Sequence, residues 1–244
     1  MRYAILSDIH ANLEAFRAVL DRIAALGADR IVCLGDIVGY NAEPNACVAI
    51  VRSEGMACVL GNHDAAACGL QEPDNFTPAA RQAALWTRDA LTSENRAFLQ
   101  QLPRRLQIGD FVLCHGSIDD TDRYILYDND VRDALELMEG LPGGPWLCFF
   151  GHTHLQAAYR ITGQDIVRER SGAFPLSRDS WYLVNPGGVG QPRDGDPRAA
   201  FLLYDAQERS VSLHRVEYDI AAAQDKVIRA GLPVRLAERL ALGL

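Results

Sequence analysis

The sequence has little positive charge and no long apolar run. Its 244 residues carry 32 acidic against 24 basic side chains, a formal net charge of −8, and only one of the basic residues is a lysine. A chain with this balance lacks the basic face that neutralises a nucleic-acid backbone, so we expect no polymeric DNA or RNA as a partner. No apolar stretch reaches the length of a membrane span and no signal peptide opens the chain, so we expect a cytoplasmic protein without membrane contacts.

Paired cysteines are also lacking. The six cysteines form no C-x-x-C pair, and three of them, Cys33, Cys114 and Cys148, lie inside apolar runs. Cysteines in such runs behave as small buried hydrophobes, so we expect free thiols rather than disulfides or a thiolate zinc site. The sequence shows neither an internal repeat nor a low-complexity linker. We therefore expect residues 1–244 to form a single domain.

The first part of the chain alternates between strand and helix patterns. Apolar runs at 2–6, 30–34 and 56–60 are typical of strands, and the segments 12–26 and 43–55 between them have the apolar spacing of helices. Strands that alternate with helices predict a parallel sheet wrapped by those helices.

The second part of the chain is richer in strand patterns. After a helical stretch at 77–100, a pair of strands is expected to turn at Gly109–Asp110, and 130–139 predicts a short helix. Six short strand-like segments follow, and two helices are expected at 219–230 and 233–242. The pattern as a whole favours an α/β protein with two packed sheets and helices outside them.

Polar residues that can bind metals follow five of the apolar runs. In open α/β sheets, ligands bind at the carboxyl ends of the strands, so side chains at these positions can converge on one place. Five of the six histidines lie in these clusters, and only His214 lies elsewhere. The clusters are Asp8 and His10, then Asp36, then Asn62, His63 and Asp64, then His115, and finally His152 and His154.

Each cluster has an ordinary explanation when it is taken alone. An Asp-x-His after a strand is commonly a turn with a helix cap, and glycine beside a polar residue is common turn chemistry. Together the clusters supply carboxylates, imidazoles and an amide, a mixed nitrogen and oxygen set that is too large for one metal ion. Since a carboxylate can bridge, the set favours two ions about 3.5–4 Å apart, the geometry of hydrolytic two-metal sites.

The five motifs, in this order, resemble the signature of the calcineurin-like metallophosphoesterase superfamily. They are D-x-H, G-D, G-N-H-D, H-G and G-H-T-H, and the segment 185–205 resembles the part that follows in small single-domain bacterial members. The resemblance implies a four-layer α/β/β/α sandwich of two mixed β-sheets flanked by helices. It also implies a ligand set for two divalent transition-metal ions: Asp8, His10 and His154 on one, Asn62, His115 and His152 on the other, and Asp36 between them.

The resemblance further implies a reaction. A water that bridges the two ions would lose a proton readily and attack phosphorus as hydroxide, which hydrolyses a phosphomonoester or a phosphodiester. His63 would stand near the phosphate and protonate the leaving alkoxide, with Asp64 orienting its imidazole. The substrate would be a small-molecule or nucleotide phosphate ester. The ligands suit Mn, Fe, Zn, Ni and Co alike.

The sequence departs from some members of this superfamily in the loop that grips phosphate. Phosphoprotein phosphatases and the related symmetrical dinucleoside tetraphosphatases continue the second motif as G-D-x-V-D-R-G. This chain reads "GDIVGYN", so Gly39, Tyr40 and Asn41 replace the arginine loop. A specificity of that kind is therefore not expected here.

Other residues are candidates for contacts with the substrate. We select Asn12, Tyr40, Arg123 and Tyr124. Asn12 is equally suited to cap the first helix. Arg193 and Arg198, in the loop that follows "NPGG", are further candidates for a clamp, because a planar guanidinium binds phosphate well.

Two other functions remain open from the sequence. A non-catalytic, metal-bearing interaction scaffold of the same fold would be indicated by the loss of ligands or of the active-site histidine, and all of these residues are present. A dedicated nuclease would be indicated by an added DNA-binding domain or a basic surface, and neither is seen. The sequence gives no indication of the oligomeric state.

Overall fold

The structure, a computed structural model, describes all 244 residues and contains twelve strands and eight helices. The strands are β1 Arg2–Leu6, β2 Arg30–Cys33, β3 Ala57–Cys58, β4 Arg105–Ile108, β5 Phe111–Cys114, β6 Leu147–Phe149, β7 Gln156–Thr162, β8 Asp165–Arg168, β9 Ala173–Pro175, β10 Trp181–Pro186, β11 Ala199–Asp205 and β12 Ser210–Val216. The helices are α1 Leu13–Leu26, α2 Pro44–Ser53, α3 Asn62–Cys68, α4 Pro78–Ala90, α5 Ser93–Gln100, α6 Asp128–Glu139, α7 Ile220–Arg229 and α8 Val234–Leu242.

The strands form two six-stranded sheets. The strand order is β3-β2-β1-β11-β12-β9 in the first sheet and β4-β5-β6-β10-β7-β8 in the second. β1, β2 and β3 are parallel to one another, as are β5, β6 and β10, whereas all other neighbours are antiparallel. Both sheets are therefore mixed, as predicted.

Three apolar layers hold the elements together. The inner faces of the two sheets meet in a core that includes Tyr3, Phe111, Phe149 and Tyr204. A second core lies between the first sheet and the helices α1 and α2, and a third lies between the second sheet and α6. This is the four-layer α/β/β/α sandwich that the sequence analysis predicted, and it is confirmed.

Helix α1 illustrates how local sequence sets an element. The Asn12 side chain accepts a hydrogen bond from the Ala15 amide at the start of the helix, and Gly27 ends it in the left-handed conformation with φ 68°. Phe16, Val19 and Ile23 lie one turn apart and are all buried against the first sheet. The helix thus carries the chain back so that β2 pairs parallel with β1.

The structure differs from the predicted elements in three places. The helical stretch 77–100 is two helices, because Thr92 caps the start of α5 after α4 has ended. The short strand β9 was not predicted. The motif "GNHD" was expected at a strand end, but Asn62 begins helix α3 instead. No helix combines the length and the apolar character needed to cross a membrane.

Candidate metal centre and active-site cavity

Seven polar side chains meet beyond the ends of β1, β2, β3, β5 and β6. All of them are at most 6% exposed, although polar side chains are seldom buried without a functional or structural reason. We call this set the metal cradle: Asp8, His10, Asp36, Asn62, His115, His152 and His154. The structure therefore brings together every residue that the sequence analysis selected as a metal ligand.

The cradle contains two groups of metal-competent atoms. One group is Asp8, His10 and His154, and the other is Asp36, His115 and His152, with one ligand atom per residue and all atoms of a group within 4.8 Å of one another. In the first group, His154 Nε2 lies 3.2 Å from Asp8 Oδ1 and 3.2 Å from His10 Nε2. These distances place three donor atoms around one small space.

Asp36 reaches both groups. Its Oδ2 lies 3.2 Å from His115 Nε2 in its own group and 3.5 Å from His10 Nε2 in the other. Its Oδ1 accepts a hydrogen bond of 2.9 Å from the His63 backbone amide, which fixes the carboxylate plane. A carboxylate in this position can serve two cations at once.

Backbone carbonyls orient all four imidazoles of the cradle. Since a carbonyl oxygen only accepts hydrogen bonds, the ring nitrogen beside it carries the proton and the other nitrogen presents its lone pair to the cradle. The pairs are His10 Nδ1 with Val38 O at 3.0 Å, His115 Nδ1 with Leu34 O at 2.8 Å, His154 Nδ1 with Gln191 O at 2.5 Å, and His152 Nε2 with Asp122 O at 3.1 Å. Three rings thus offer Nε2, and His152 offers Nδ1.

Several buried atoms of the cradle have no hydrogen-bond partner. They are Asp8 Oδ1, Asn62 Oδ1 and His115 Nε2. Nearly all buried polar atoms in proteins are paired, because an unpaired one loses the hydration it had in water. Metal coordination would satisfy all three atoms, so the donor set fits a metal centre.

Burial and nearby charges shift the pKa values in the cradle. Burial lowers the pKa of His152 to about 3, lowers that of His154 well below its usual range and raises that of Asp8 to about 6. Burial also opposes charge on His115 and Asp36, but their mutual attraction prevails. The pKa of His115 rises to about 10 and the pKa of Asp36 falls well below its usual range. Asp36 therefore favours a positive charge at His115 Nε2, which a bound cation would supply in place of the proton.

The backbone of the cradle is strained. Eight non-glycine residues in the protein have positive φ, and five of these, Asp8, His10, Asp36, His152 and His154, belong to the cradle with φ between 48° and 64°. The left-handed conformation costs an L-residue roughly 1–2 kcal/mol. Such strain is typical of functional sites, where the surrounding fold holds side chains in a required direction.

Helix α3 places its first residues against the second group. Asn62 is its first residue, and Gly61 before it packs so tightly that a Cβ atom there would lie 2.1 Å from Asp36 Oδ1. The backbone can approach this carboxylate only because residue 61 has no side chain. This contact explains why glycine precedes asparagine in the third strand-end cluster.

His63 lies beside the cradle and faces the cavity. Its ring packs between Tyr40 and Phe76, with centroid distances of 4.4 and 4.5 Å, and lies 4.9 Å from the His10 ring. Burial lowers the pKa of His63 to about 4, and its Nδ1 has no hydrogen-bond partner. Aromatic packing rather than a hydrogen bond therefore orients this imidazole.

Asp64 does not orient His63, contrary to the expectation from the sequence. Its carboxylate accepts hydrogen bonds from the backbone amides of Val38 at 3.1 Å and Gly61 at 3.2 Å, so both oxygens are used. Burial, with the neighbouring charge of Asp36, raises the pKa of Asp64 to about 7. The residue joins the loop after β2 to the start of α3, which is a structural link between two parts of the cradle.

A cavity of about 210 Å³ opens above the cradle. Its floor includes Asp36, Asn62, His152 and His154. We call its other principal residues the cavity wall: Tyr40, Phe76, Tyr124 and Arg193. The structure thus places the sequence-selected Tyr40 and Tyr124 at the cavity.

Three other candidates do not line the cavity. Asn12 is fully buried, with Oδ1 on the Ala15 amide at 3.1 Å and Nδ2 on the Gly190 carbonyl at 2.9 Å, so it is the cap of α1 and not a substrate contact. Arg123 is drawn away by an ion pair with Asp133, and Arg198 by one with Asp196. The substrate contacts predicted for Asn12 and Arg123 are therefore not supported.

Sequence reasoning missed Phe76 and the backbone carbonyls of the site. Phe76 is the one aromatic residue in the polar segment "QEPDNFTP" before α4, and this isolation was its only signal. The carbonyls of Asp122 and Gln191, which orient His152 and His154, leave no signature in the sequence.

Comparison with known proteins agrees with this geometry. The family model described as the calcineurin-like phosphoesterase superfamily domain matches residues 1–209. A curated but uncharacterised protein of Methanocaldococcus jannaschii is 37% identical over 245 residues, which cover 98% of this chain and 97% of that protein.

Two solved structures are also similar to this chain. A metallophosphoesterase from Sphaerobacter thermophilus has a TM-score of 0.85 at 39% identity, covering 100% of this chain and 99% of that one. A hypothetical protein from Pyrococcus horikoshii has a TM-score of 0.81 at 20% identity, covering 100% and 98%, which shows a shared fold. With the family match and these relatives, the chain belongs to the calcineurin-like phosphoesterase superfamily.

Proposed function

We propose that this protein is a phosphoesterase that hydrolyses a small phosphate ester at a dinuclear metal centre. The observation that carries the proposal is the position of Asp36, whose carboxylate lies between two groups of donor atoms at the floor of one cavity. The three unpaired buried atoms of the cradle support the same conclusion. The family match adds that relatives of this chain are phosphoesterases.

The cradle residues would hold two divalent ions, with Asp36 shared between them. Asp8, His10 and His154 would hold one ion, and Asn62, His115 and His152 the other. When bound, such ions neutralise phosphate oxygens and lower the pKa of water to near neutrality. The family uses divalent metals, and the mixed nitrogen and oxygen donors suit Mn, Fe, Zn, Ni and Co alike.

His63 would act on the leaving group. It lines the cavity beside the cradle, and its imidazole is close to His10 without sharing the carbonyl contact that orients the metal-facing rings. An imidazolium that gives a proton to a leaving alkoxide accelerates hydrolysis by roughly 10²- to 10⁴-fold. The negative charge of a bound phosphate would favour this protonated form against the burial that lowers the pKa of His63 to about 4. Tyr40 and Phe76 keep the ring in place on its two sides.

The size and charge of the site favour a small substrate. The cavity of about 210 Å³ has a mixed polar and aromatic lining, which suits a phosphorylated small molecule or nucleotide. The overall charge of −8 disfavours a polymeric nucleic acid.

A substrate screen tests the proposal. The protein is stripped of metal, reconstituted with each of the five ions in turn, and assayed on phosphomonoesters, phosphodiesters, nucleotides and phosphopeptides. We expect metal-dependent hydrolysis in at least one class, and the Asp36→Asn variant serves as the negative control. A protein that binds two ions and hydrolyses none of these esters would contradict the proposal and would support a non-catalytic scaffold.

A further inference from the structure

The arginines near the cavity differ in what they contact. Arg123 pairs with Asp133 and Arg198 pairs with Asp196, so a carboxylate of the protein neutralises each of them. Arg215, on β12, pairs with Asp194. Arg193 forms no ion pair, although it is partly buried at the cavity.

Two phenol oxygens hold the Arg193 guanidinium. Nη2 donates to Tyr40 Oη at 3.1 Å and Nη1 donates to Tyr124 Oη at 3.5 Å. Nε is buried and has no partner. Asp122 also lines the cavity, but its Oδ2 accepts from Gln71 Nε2 at 3.0 Å rather than from this arginine. The positively charged guanidinium of Arg193 therefore lies at the cavity, and its Nε is still available as a hydrogen-bond donor.

The two tyrosines place the guanidinium across both groups of the cradle. The Tyr40 ring lies 4.5 Å from the His10 ring of the first group, and the Tyr124 ring lies 4.2 Å from the His152 ring of the second. A cation that stands above two metal-binding groups, with no anion of its own, is placed to meet an anion that the metals also bind. Each phenol accepts from the guanidinium and keeps its own O–H to donate.

We propose that Arg193 is the phosphate clamp of this enzyme and that the preferred substrate is a phosphomonoester. The inference rests on the proposed function. The cradle residues would hold two metal ions that neutralise phosphate oxygens, and a non-ester oxygen that the ions leave free would suit the guanidinium fork. A monoester has three non-ester oxygens and two negative charges, whereas a diester has two oxygens and one charge. The third oxygen is the one that Arg193 binds.

Arg193→Met tests the clamp, with Arg198→Met as the matched control. Methionine keeps an unbranched side chain and removes the charge, and Arg198 belongs to the same loop but is paired with Asp196 outside the cavity. Metal content is measured first, by elemental analysis. Calorimetric titration with inorganic phosphate then measures binding, and 4-nitrophenyl phosphate is compared with bis(4-nitrophenyl) phosphate because the two esters share a leaving group.

We expect Arg193→Met to keep the wild-type metal content and to bind inorganic phosphate about 10- to 100-fold more weakly, the range for a lost hydrogen bond to a charged group. Its kcat/KM should fall by a similar factor for the monoester and much less for the diester. Arg198→Met should match the wild type in both measurements. Arg193→Lys, which keeps the charge without the fork, should recover part of the phosphate binding.

Three results would overturn the inference. If Arg193→Met and Arg193→Lys bind phosphate as tightly as the wild type, Arg193 is not a clamp. If kcat/KM falls equally for the monoester and the diester, the preference for a phosphomonoester is wrong. Wild-type protein that carries two ions but does not bind phosphate would also overturn the clamp. If the wild type binds phosphate through Arg193 but hydrolyses neither ester, the clamp stands and the proposed function fails.

Discussion

The metal cradle and the cavity wall differ in how the chain builds them. Each cradle residue follows a strand or begins the helix after one, and backbone carbonyls orient the imidazoles, as the Val38 carbonyl does for His10. The wall comes from four separate loops and is held mainly by contacts among its own residues, with His63 and with the cradle. Its residues are Tyr40, Phe76, Tyr124 and Arg193. The strand ends therefore carry the proposed metal ligands, and the loops add the residues that would meet the substrate.

The difference between the cradle and the wall predicts that substitutions in the two regions have different effects. Substitutions in the cradle should release metal and abolish activity together, whereas substitutions at the wall should change activity with metal retained. Asp36→Asn should have the largest effect, because a neutral amide bridges two cations poorly and both ions should be lost. The metal content, measured by elemental analysis, and the turnover should fall in parallel. Turnover should fall further than for any other single substitution in the cradle.

Asp64→Asn is the matched control for Asp36→Asn. Asp64 is equally buried but accepts hydrogen bonds only from the Val38 and Gly61 amides. The amide retains one acceptor oxygen, so the variant should lose about 1–3 kcal/mol of stability while it keeps its metal. Asp36→Asn protein that holds two ions and turns over at the wild-type rate would show that Asp36 does not bridge.

His63→Ala should separate chemistry from metal binding. His63 lies at the boundary between the cradle and the wall. Its ring packs against His10, and its only hydrogen bond to the cradle is from its backbone amide to Asp36. Turnover should fall by roughly 10²- to 10⁴-fold with two ions still bound. The loss should be smaller for esters with a good leaving group such as nitrophenolate, which needs little protonation, than for alkyl phosphates.

The leaving-group comparison also tests the role of His63. Equal losses for nitrophenyl and alkyl phosphates would assign this residue to charge stabilisation instead of proton donation. A His63→Ala variant without metal would make the imidazole a ligand.

The difference between the cradle and the wall also explains which parts of the site the sequence could predict. The convergence of the cradle residues was predictable because each cluster lies just after an apolar run, as His115 follows "FVLC". The pairing of His63 with Asp64 was wrong because the residues begin a helix, where successive side chains diverge by roughly 100°. The selection of Arg193 over Arg123 was beyond the sequence, because it depends on which carboxylates, such as Asp133, lie near each arginine in the fold.

Gly39→Ala should disturb the wall through His63. Gly39 has φ 94°, and a Cβ atom there would lie 2.6 Å from His63 Nδ1. Gly55→Ala is the matched control, since Gly55 also has a positive φ of 59° but nothing lies within 4 Å of its Cβ position. Both variants should lose roughly 1–2 kcal/mol of stability from the left-handed backbone.

Only Gly39→Ala should also lose activity. A displaced catalytic group commonly reduces the rate by roughly 10²-fold, and the metal content should not change. Equal kinetics for the two glycine variants would mean that the position of the His63 ring does not matter for turnover.

Tyr40→Phe should have the smallest effect. It keeps the ring against His10 and His63 and removes only the oxygen that accepts from Arg193 Nη2 at 3.1 Å. We expect KM for the phosphomonoester to rise roughly 3- to 10-fold with kcat little changed, because a single hydrogen bond is lost. Tyr159→Phe is the control, because the Tyr159 hydroxyl donates to the Leu126 carbonyl outside the cavity. A change confined to kcat would argue that Tyr40 acts on the chemical step and not through Arg193.

The metal content of the wild-type protein tests the central claim most directly. The protein is purified without chelators, reconstituted with each candidate transition metal, freed of excess ion and analysed for metal per chain. Asp36 between two groups of donors predicts a reproducible maximum of two ions per chain. A maximum of zero or one ion would contradict the dinuclear centre.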